Sequence, residues 1–95
     1  MKRYYVYFME NEYNTALYIG ITGDLRRRVE EHKNGLIPGF TKRYRCTKLV
    51  YYEEYSIVHD AIMREKQLKK WRREWKDELI NTTNKERRDM AFAEY

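Results

Sequence analysis

Two apolar segments joined by a short polar link constrain the fold of this chain more than any other feature of its sequence. Residues 3–9 read RYYVYFM and residues 16–22 read ALYIGIT, and both alternating positions of each segment are apolar. This pattern is typical of strands that are covered on both faces. Because the link ENEYNT has the length of a hairpin loop, we expect the strands to pair antiparallel, with Tyr7 and Tyr18 on one face.

The segments that follow alternate between helical and strand patterns. Helix-starting oxygens at residues 22–24 precede an apolar helical spacing that ends at Asn34-Gly35, which predicts a helix. A loop over residues 35–48, a third strand over residues 48–54 and a long helical pattern over residues 56–84 complete the order β-β-α-β-α-α. We therefore predict an α+β fold, in which helices flank a small three-stranded antiparallel sheet.

Length, charge and cysteine content limit the classes of function. With 95 residues the chain has room for one modest core, so we expect a single domain over residues 1–95. The net charge of +5 favours a polyanionic partner, either nucleic acid or an anionic membrane surface. The lone Cys46 excludes an intramolecular disulfide, and no stretch approaches the roughly 18 apolar residues of a membrane-spanning helix. These features predict a cytoplasmic protein that is not embedded in a membrane.

In the first helix, one arginine and one histidine border the predicted apolar stripe. Each helical residue turns by roughly 100°, so Arg28 lies about 60° and His32 about 20° from the stripe centred on Leu25. The two side chains are one turn apart and can point together toward the surface that the stripe covers. Alternatively, Arg28 extends its charged head into water and His32 caps the last turn of the helix.

In the second helical region, a glutamate falls inside the apolar stripe. Glu65 lies about 40° from Ala61, at the centre of that stripe. A carboxylate buried without a partner costs several kcal/mol, so Glu65 must be paired, protonated or bound to a metal ion. Arg28 or Arg64 could be the partner, in which case Glu65 has a structural role.

A glycine inside the second strand and a basic loop are the remaining candidate features. Gly20 interrupts the second strand, which indicates that another group approaches the backbone closely there. No acidic residue occurs from Lys33 through Tyr52. Basic and aromatic side chains suited to phosphate contact and base stacking occur in this interval, and those we predict to bind nucleic acid are Lys42, Arg43, Tyr44, Arg45 and Lys48. The alternative is a solvated loop that keeps the protein soluble.

Four segments together resemble the GIY-YIG endonucleases, and most closely their small stand-alone bacterial members. These segments are YVYFM with Tyr7, LYIG at 17–20, DLRRRVEEH at 24–32 and REKQLKKW at 64–71. The resemblance extends from Tyr4 to about Asp89. One departure is Tyr5-Val6 where the family pattern has Gly-Ile, and another is Ile21 where some relatives carry a basic residue.

The resemblance implies a metal-dependent endonuclease that hydrolyses phosphodiester bonds, in DNA more than in RNA, in repair or recombination. It implies one Mg²⁺ or Mn²⁺ ion held by Glu65. Because a domain of this size lacks an appended recognition module, we expect targeting to come from a protein partner, a homodimer or the shape of the nucleic acid. By position, the family's catalytic residues fall on Tyr7, Tyr18, Arg28, His32, Glu65 and Asn84, with Asn81 as the alternative to Asn84. The competing interpretations are a nucleic-acid-binding module without activity and a structural or interaction domain.

Overall fold

A computed structural model describes residues 2–91, which form a three-stranded sheet with helices on both faces. In chain order the elements are β1 (Tyr4–Glu10), β2 (Leu17–Thr22), α1 (Leu25–Lys33), α2 (Phe40–Arg43), β3 (Lys48–Tyr55), α3 (Val58–Lys69) and α4 (Arg73–Asn84). The sheet order is β2-β1-β3, and both strand pairs are antiparallel. The predicted α+β fold class is confirmed, and the strand boundaries differ from the predicted ones by about one residue.

The central strand β1 is buried on both faces, as its sequence pattern predicts. Val6 and Phe8 lie on one face, where α3 and α4 cover them. Tyr7 and Met9 lie on the other face, where α1 covers them. The first core contains Ala61, Leu68 and Ile80, and the second contains Leu25, Val29, Cys46 and Leu49. Because side chains alternate along a strand, this single strand supplies apolar groups to both cores.

Helix α1 begins and ends at the residues that carry its capping signals. The Asp24 side chain accepts a hydrogen bond from the Arg27 amide at 3.1 Å, which satisfies one of the free N–H groups of the first turn. Asn34 is the C-cap, and Gly35 follows in the left-handed region at φ 65°. Local sequence chemistry is therefore sufficient to place this helix.

One sequence expectation in the second half of the chain is wrong, because the predicted loop contains the short helix α2. The long helical pattern breaks over residues 70–72 into α3 and α4, which agrees with the two final helices of the predicted order. A continuous helix over 58–84 would be about 40 Å long, whereas the longest dimension of the fold is 34 Å. The break lets both halves lie on the sheet, and it leaves Trp75 largely exposed. No helix within residues 2–91 is long and apolar enough to span a membrane.

Glu10, which the sequence places in the polar link, is the fully buried last residue of β1. Arg73 of α4 and Arg87 each donate to its carboxylate at 2.9 Å. Asp77 accepts from both arginines, at 3.1 and 2.8 Å. This four-residue network ties the end of the central strand to α4 and to the segment that follows it.

Candidate functional site

A buried tyrosine and histidine form a hydrogen-bonded pair on the face of the sheet that α1 covers. The Tyr7 hydroxyl lies 2.8 Å from Nε2 of His32, and each residue is only 2% exposed. Strand alternation directs Tyr7 toward α1, and His32 faces it from the last turn of that helix. The capping interpretation of His32 is therefore wrong, because its ring points into the core instead of toward the helix end.

Tyr18 adds a third ring to this pair, and Gly20 makes the space for it. The Tyr18 ring centre lies 6.2 Å from that of Tyr7 and 5.5 Å from that of His32. Gly20 pairs with Tyr7 across the two strands, and a Cβ at this position would lie 2.5 Å from the Tyr7 hydroxyl. The shared face of Tyr7 and Tyr18 and the close approach at Gly20 are both confirmed.

We expect Gly20→Ala to displace the Tyr7 ring and to lower the free energy of unfolding by about 1–3 kcal/mol, the usual range for overpacking. Gly23→Ala is the matched control, since a Cβ there meets nothing within 4 Å. Neither glycine has a positive φ, so backbone strain does not distinguish the two variants. Urea denaturation of both variants measures the difference, and equal stabilities would contradict the close-approach interpretation.

Burial keeps the Tyr7–His32 pair uncharged at neutral pH. It raises the pKa of the Tyr7 phenol well above its ordinary value, with the negative charge of an ionised Tyr18 adding to the effect and Arg28 opposing it. Burial, assisted by the positive charge of Arg28, lowers the pKa of His32 to about 4. A protonated phenol therefore faces a neutral imidazole, and one hydrogen is shared between them.

Thr41, which the sequence did not single out, holds the other side of the imidazole. Its Oγ1 lies 3.0 Å from Nδ1 of His32, and the threonine is buried. When Nδ1–H donates to Thr41, Nε2 is left as the acceptor for the Tyr7 hydroxyl. The signal available in the sequence was weak, because a threonine in a basic loop is ordinarily a surface residue. The tertiary position of α2 gives Thr41 this contact.

We expect the stability of the protein to fall as the pH drops from about 6.5 toward 4, because of His32. In this interval the unfolded chain, with an ordinary histidine pKa of 6.5, binds a proton that the native histidine, with a pKa of about 4, does not. The native state is therefore penalised by about 1–2 kcal/mol at pH 5 relative to pH 7. Urea denaturation at both pH values should show a smaller difference for His32→Gln, and an equal difference would contradict the assignment.

Arg28 lies one turn before His32 and keeps its head group in solvent. Its side chain is 40% exposed and forms an ion pair with Glu31 at 3.4 Å. It lines a surface pocket of about 390 Å³ whose other lining residues are Thr22, Gly23, Asp24, Arg27 and Glu31. Its charge affects the pKa of both Tyr7 and His32. Arg28 can thus receive an anion from solvent while acting electrostatically on the buried pair.

Glu65 lies on α3, which packs against the opposite face of the sheet from Tyr7 and His32. Its side chain is only 15% exposed, as the helical geometry predicts, and it forms an ion pair with Lys69 at 3.0 Å. Within residues 2–91, no hydrogen bond or ion pair joins Glu65 to Tyr7, Tyr18 or Arg28. The structure therefore brings the tyrosines and the histidine together, and it holds the glutamate on a helix of the opposite face.

The alternative in which Glu65 forms a core ion pair with an arginine is wrong. Arg64 binds Glu53 through two hydrogen bonds, at 2.9 and 3.0 Å, and Arg28 binds Glu31. The partner of Glu65 is instead the half-exposed Lys69, one turn further along the same helix. An exposed lysine contributes little to such a pair and can move away easily.

The donor chemistry of Glu65 fits a hard divalent cation that shares a phosphate ligand. In the described part of the chain, no three His, Cys, Asp or Glu side chains form a metal-binding group. Mg²⁺, however, is usually bound through one or two carboxylates together with water and substrate phosphate oxygens. A single carboxylate of limited exposure meets that requirement, whereas a metal fully enclosed by protein ligands would need more donors.

Asn84 supports the backbone at the end of α4. Its amide nitrogen donates to the carbonyls of Val50 at 3.0 Å and Arg88 at 2.8 Å, and its oxygen accepts from the Arg88 amide at 2.9 Å. These bonds occupy the side chain with the main chain rather than with the tyrosine site. Asn81, the alternative position, is exposed. A catalytic role for Asn84 stays a prediction from the resemblance.

The predicted nucleic-acid-binding loop lies beside the tyrosine site. Four of its five predicted residues are exposed, namely Lys42, Arg43, Tyr44 and Arg45. Lys48 is partly buried and donates to the Asn14 side chain and the Arg87 carbonyl, at 3.1 and 3.3 Å. Lys42, Tyr44 and Arg45 line a pocket of about 450 Å³ that His32 also borders. The loop therefore connects a cationic surface to the buried histidine.

Comparison with known proteins identifies the family to which this chain belongs. The family model of the GIY-YIG catalytic domain matches residues 3–81. The UPF0213 protein SSP2268 of Staphylococcus saprophyticus is 32% identical over 81 residues, which cover 85% of this chain and 98% of that protein. The UPF0213 protein HQ_3675A of Haloquadratum walsbyi is 36% identical over 76 residues, covering 80% and 84%. The solution NMR structure of the UPF0213 protein BH0048 from Bacillus halodurans shares the fold, with a TM-score of 0.59, 24% identity and 93% coverage of each chain.

Proposed function

Since this chain belongs to the GIY-YIG catalytic-domain family, we propose that it is a metal-dependent endonuclease that hydrolyses phosphodiester bonds, in DNA more than in RNA, during repair or recombination. The observation that carries the proposal is the buried hydrogen bond between Tyr7 and His32 beside Tyr18. Burying the Tyr7 hydroxyl and the His32 imidazole costs free energy that an apolar pair would not cost, and buried titratable pairs of this kind are concentrated at functional sites.

In the proposed mechanism, Tyr7 acts as a base only together with His32. Phosphodiester hydrolysis needs a deprotonated water and stabilisation of the charge that develops on the phosphoryl oxygens. Because burial keeps the Tyr7 phenol protonated, its own proton must pass to Nε2 of His32 as its oxygen takes the proton of the water. Burial and, after it, the positive charge of Arg28 lower the pKa of His32. Arg28 binds the phosphoryl group, and that anion offsets the second of these two effects. Tyr18 orients the water.

The proposed cation site is the Glu65 carboxylate, which would hold one Mg²⁺ or Mn²⁺ ion after Lys69 moves away. When bound, the ion supplies charge stabilisation for the phosphoryl and leaving oxygens. Side chains from the two faces of the sheet can approach one substrate around an edge strand, and of the two edge strands, β2 and β3, β2 carries Tyr18 and packs against the helix of Glu65. We therefore place the scissile phosphate along β2, with Tyr18 and Arg28 on one side and Glu65 on the other.

A cleavage screen tests the proposed function. Single-stranded, nicked, branched and duplex DNA, with matching RNA strands, are incubated with Mg²⁺ or Mn²⁺ and separately with EDTA. We expect cleavage of at least one DNA substrate that EDTA abolishes. Cleavage that persists in EDTA would contradict the metal requirement, and the absence of cleavage on every substrate would favour the alternative of a binding module without activity.

The exposed cations of the loop support nucleic-acid binding, whether the protein cleaves nucleic acid or only binds it. Replacing Lys42, Arg43 and Arg45 with glutamine should weaken binding uniformly across sequences. Each lost phosphate contact reduces the slope of log Kd against log salt by about 0.7 to 0.9, so we expect a reduction of about 2 to 3 for the triple variant. A salt titration by fluorescence anisotropy measures this slope, and an unchanged slope would exclude the loop from the interface.

A further inference from the structure

A row of aromatic rings extends outward from the tyrosine site along α2. The Phe40 ring is nearly parallel to that of Tyr18, with an angle of 28° between planes and 6.4 Å between centres. The Tyr44 ring follows at 4.7 Å from Phe40. Phe40 and Tyr44 are each 45% exposed. The row therefore begins at the partly buried Tyr18, beside the buried Tyr7 and His32, and ends in solvent.

The side chains of α2 and of its C-cap, Tyr44, point in two directions. Thr41 points inward and binds His32, while Phe40 and Tyr44 point outward. Gly39, which precedes the helix, has a φ of 103° that other residues rarely adopt, and this turn sets the direction in which α2 begins. The exposed rings are thus joined to the proposed active site through the short helix that also carries Thr41.

The charge around the exposed rings suits an anionic chain. The Arg43 guanidinium lies over the Tyr44 ring, 5.5 Å from its centre. Lys42 and Arg45 are exposed on the same segment. Cations that follow a phosphate backbone, combined with aromatic faces for the bases, are the two components of single-strand binding surfaces.

We propose that Phe40 and Tyr44 form a stacking surface for unpaired nucleobases, so that the substrate carries unpaired nucleotides next to the scissile bond. This inference rests on the proposed function and specifies its substrate class. In a duplex the faces of the bases are covered by their neighbours, and the two rings would meet only sugar and phosphate. In a single strand, a loop or a flap the base faces are free, and stacking on the rings replaces their contact with water.

Binding experiments in EDTA test the stacking surface without any requirement for cleavage. Three labelled DNAs of equal phosphate number are compared by fluorescence anisotropy: a single strand of mixed sequence, a blunt duplex, and an abasic single strand. We expect the mixed single strand to bind most tightly. Phe40→Ala and Tyr44→Ala should each weaken its binding by about 5- to 100-fold, with little change for the abasic strand, and Tyr44→Phe should retain normal binding.

Trp75→Ala is the matched control, because Trp75 has a nearly identical exposure of 44% but lies on α4, on the other face of the sheet. It should leave binding unchanged, and thermal melting confirms that each variant is folded. Equal losses on the mixed and abasic strands, tightest binding to the duplex, or no binding to any DNA would overturn the proposal. If binding shows stacking and the cleavage screen is negative, the proposed nuclease function fails while the stacking surface stands.

Discussion

Glu65→Gln is expected to lower the rate of metal-dependent cleavage by at least about 100-fold, the usual loss when one charge-stabilising group is removed from an active site. The substitution keeps the size and polarity of the side chain but removes the negative charge that would hold the cation. Because the partner of Glu65 is a half-exposed lysine, the fold should be retained. Cleavage assays with Mn²⁺ give the rate, and calorimetric titration with Mn²⁺ gives the cation affinity independently of activity.

Two further variants separate the metal site from general effects of charge. Glu78→Gln removes an exposed acid from α4 and should leave both rate and cation affinity unchanged. Lys69→Met removes the ammonium group that binds Glu65, so we expect it to raise the affinity for Mn²⁺. Undiminished cleavage by Glu65→Gln, together with unchanged Mn²⁺ binding, would show that the cation is held elsewhere.

The double substitution of Arg73 and Arg87 with methionine is expected to lower the free energy of unfolding by about 3–5 kcal/mol. Glu10 is fully buried, and these two arginines donate to its carboxylate. Removing both leaves a buried negative charge without a counter-charge, and it also removes the bonds of Arg73 to the carbonyls of Asn14 and Thr15. Urea denaturation at neutral pH measures the loss.

Adding Glu10→Met to the double variant should restore much of the lost stability, because a buried ion network can often be replaced by apolar side chains of similar volume. This recovery distinguishes an uncompensated charge from simple loss of packing. A triple variant no more stable than the double variant would mean that the arginines act through their backbone contacts. Asp77 loses both of its arginine partners in the double and in the triple variant, so its contribution does not distinguish them.

The parts of the site that the sequence predicts correctly arise from short-range rules. Alternation along β1 and β2 requires Tyr7 and Tyr18 to share a face, and a glycine inside a strand indicates the close approach that the Tyr7 hydroxyl makes to Gly20. Asp24 and Gly35 delimit α1 through capping chemistry that involves only neighbouring residues. Helical geometry likewise places Arg28 and His32 together and buries most of Glu65.

The remaining features depend on contacts between residues far apart in the chain. Thr41 reaches His32 only because α2 packs beside the end of α1, and no periodicity encodes that position. The carboxylate of Glu10 is neutralised by arginines more than sixty residues away, so its burial could not be read from the polar link in which it lies.

Glu65 shows most clearly which properties are local and which depend on the tertiary structure. Its helical phase predicts burial, because the angle between residues on one helix is a local property. The face of the sheet on which it lies depends on how α3 packs, and that packing places it opposite Tyr7. Interactions between near neighbours determine the helices and strands and the side of each element on which a residue lies. The packing of the whole chain determines which residues of different elements come into contact.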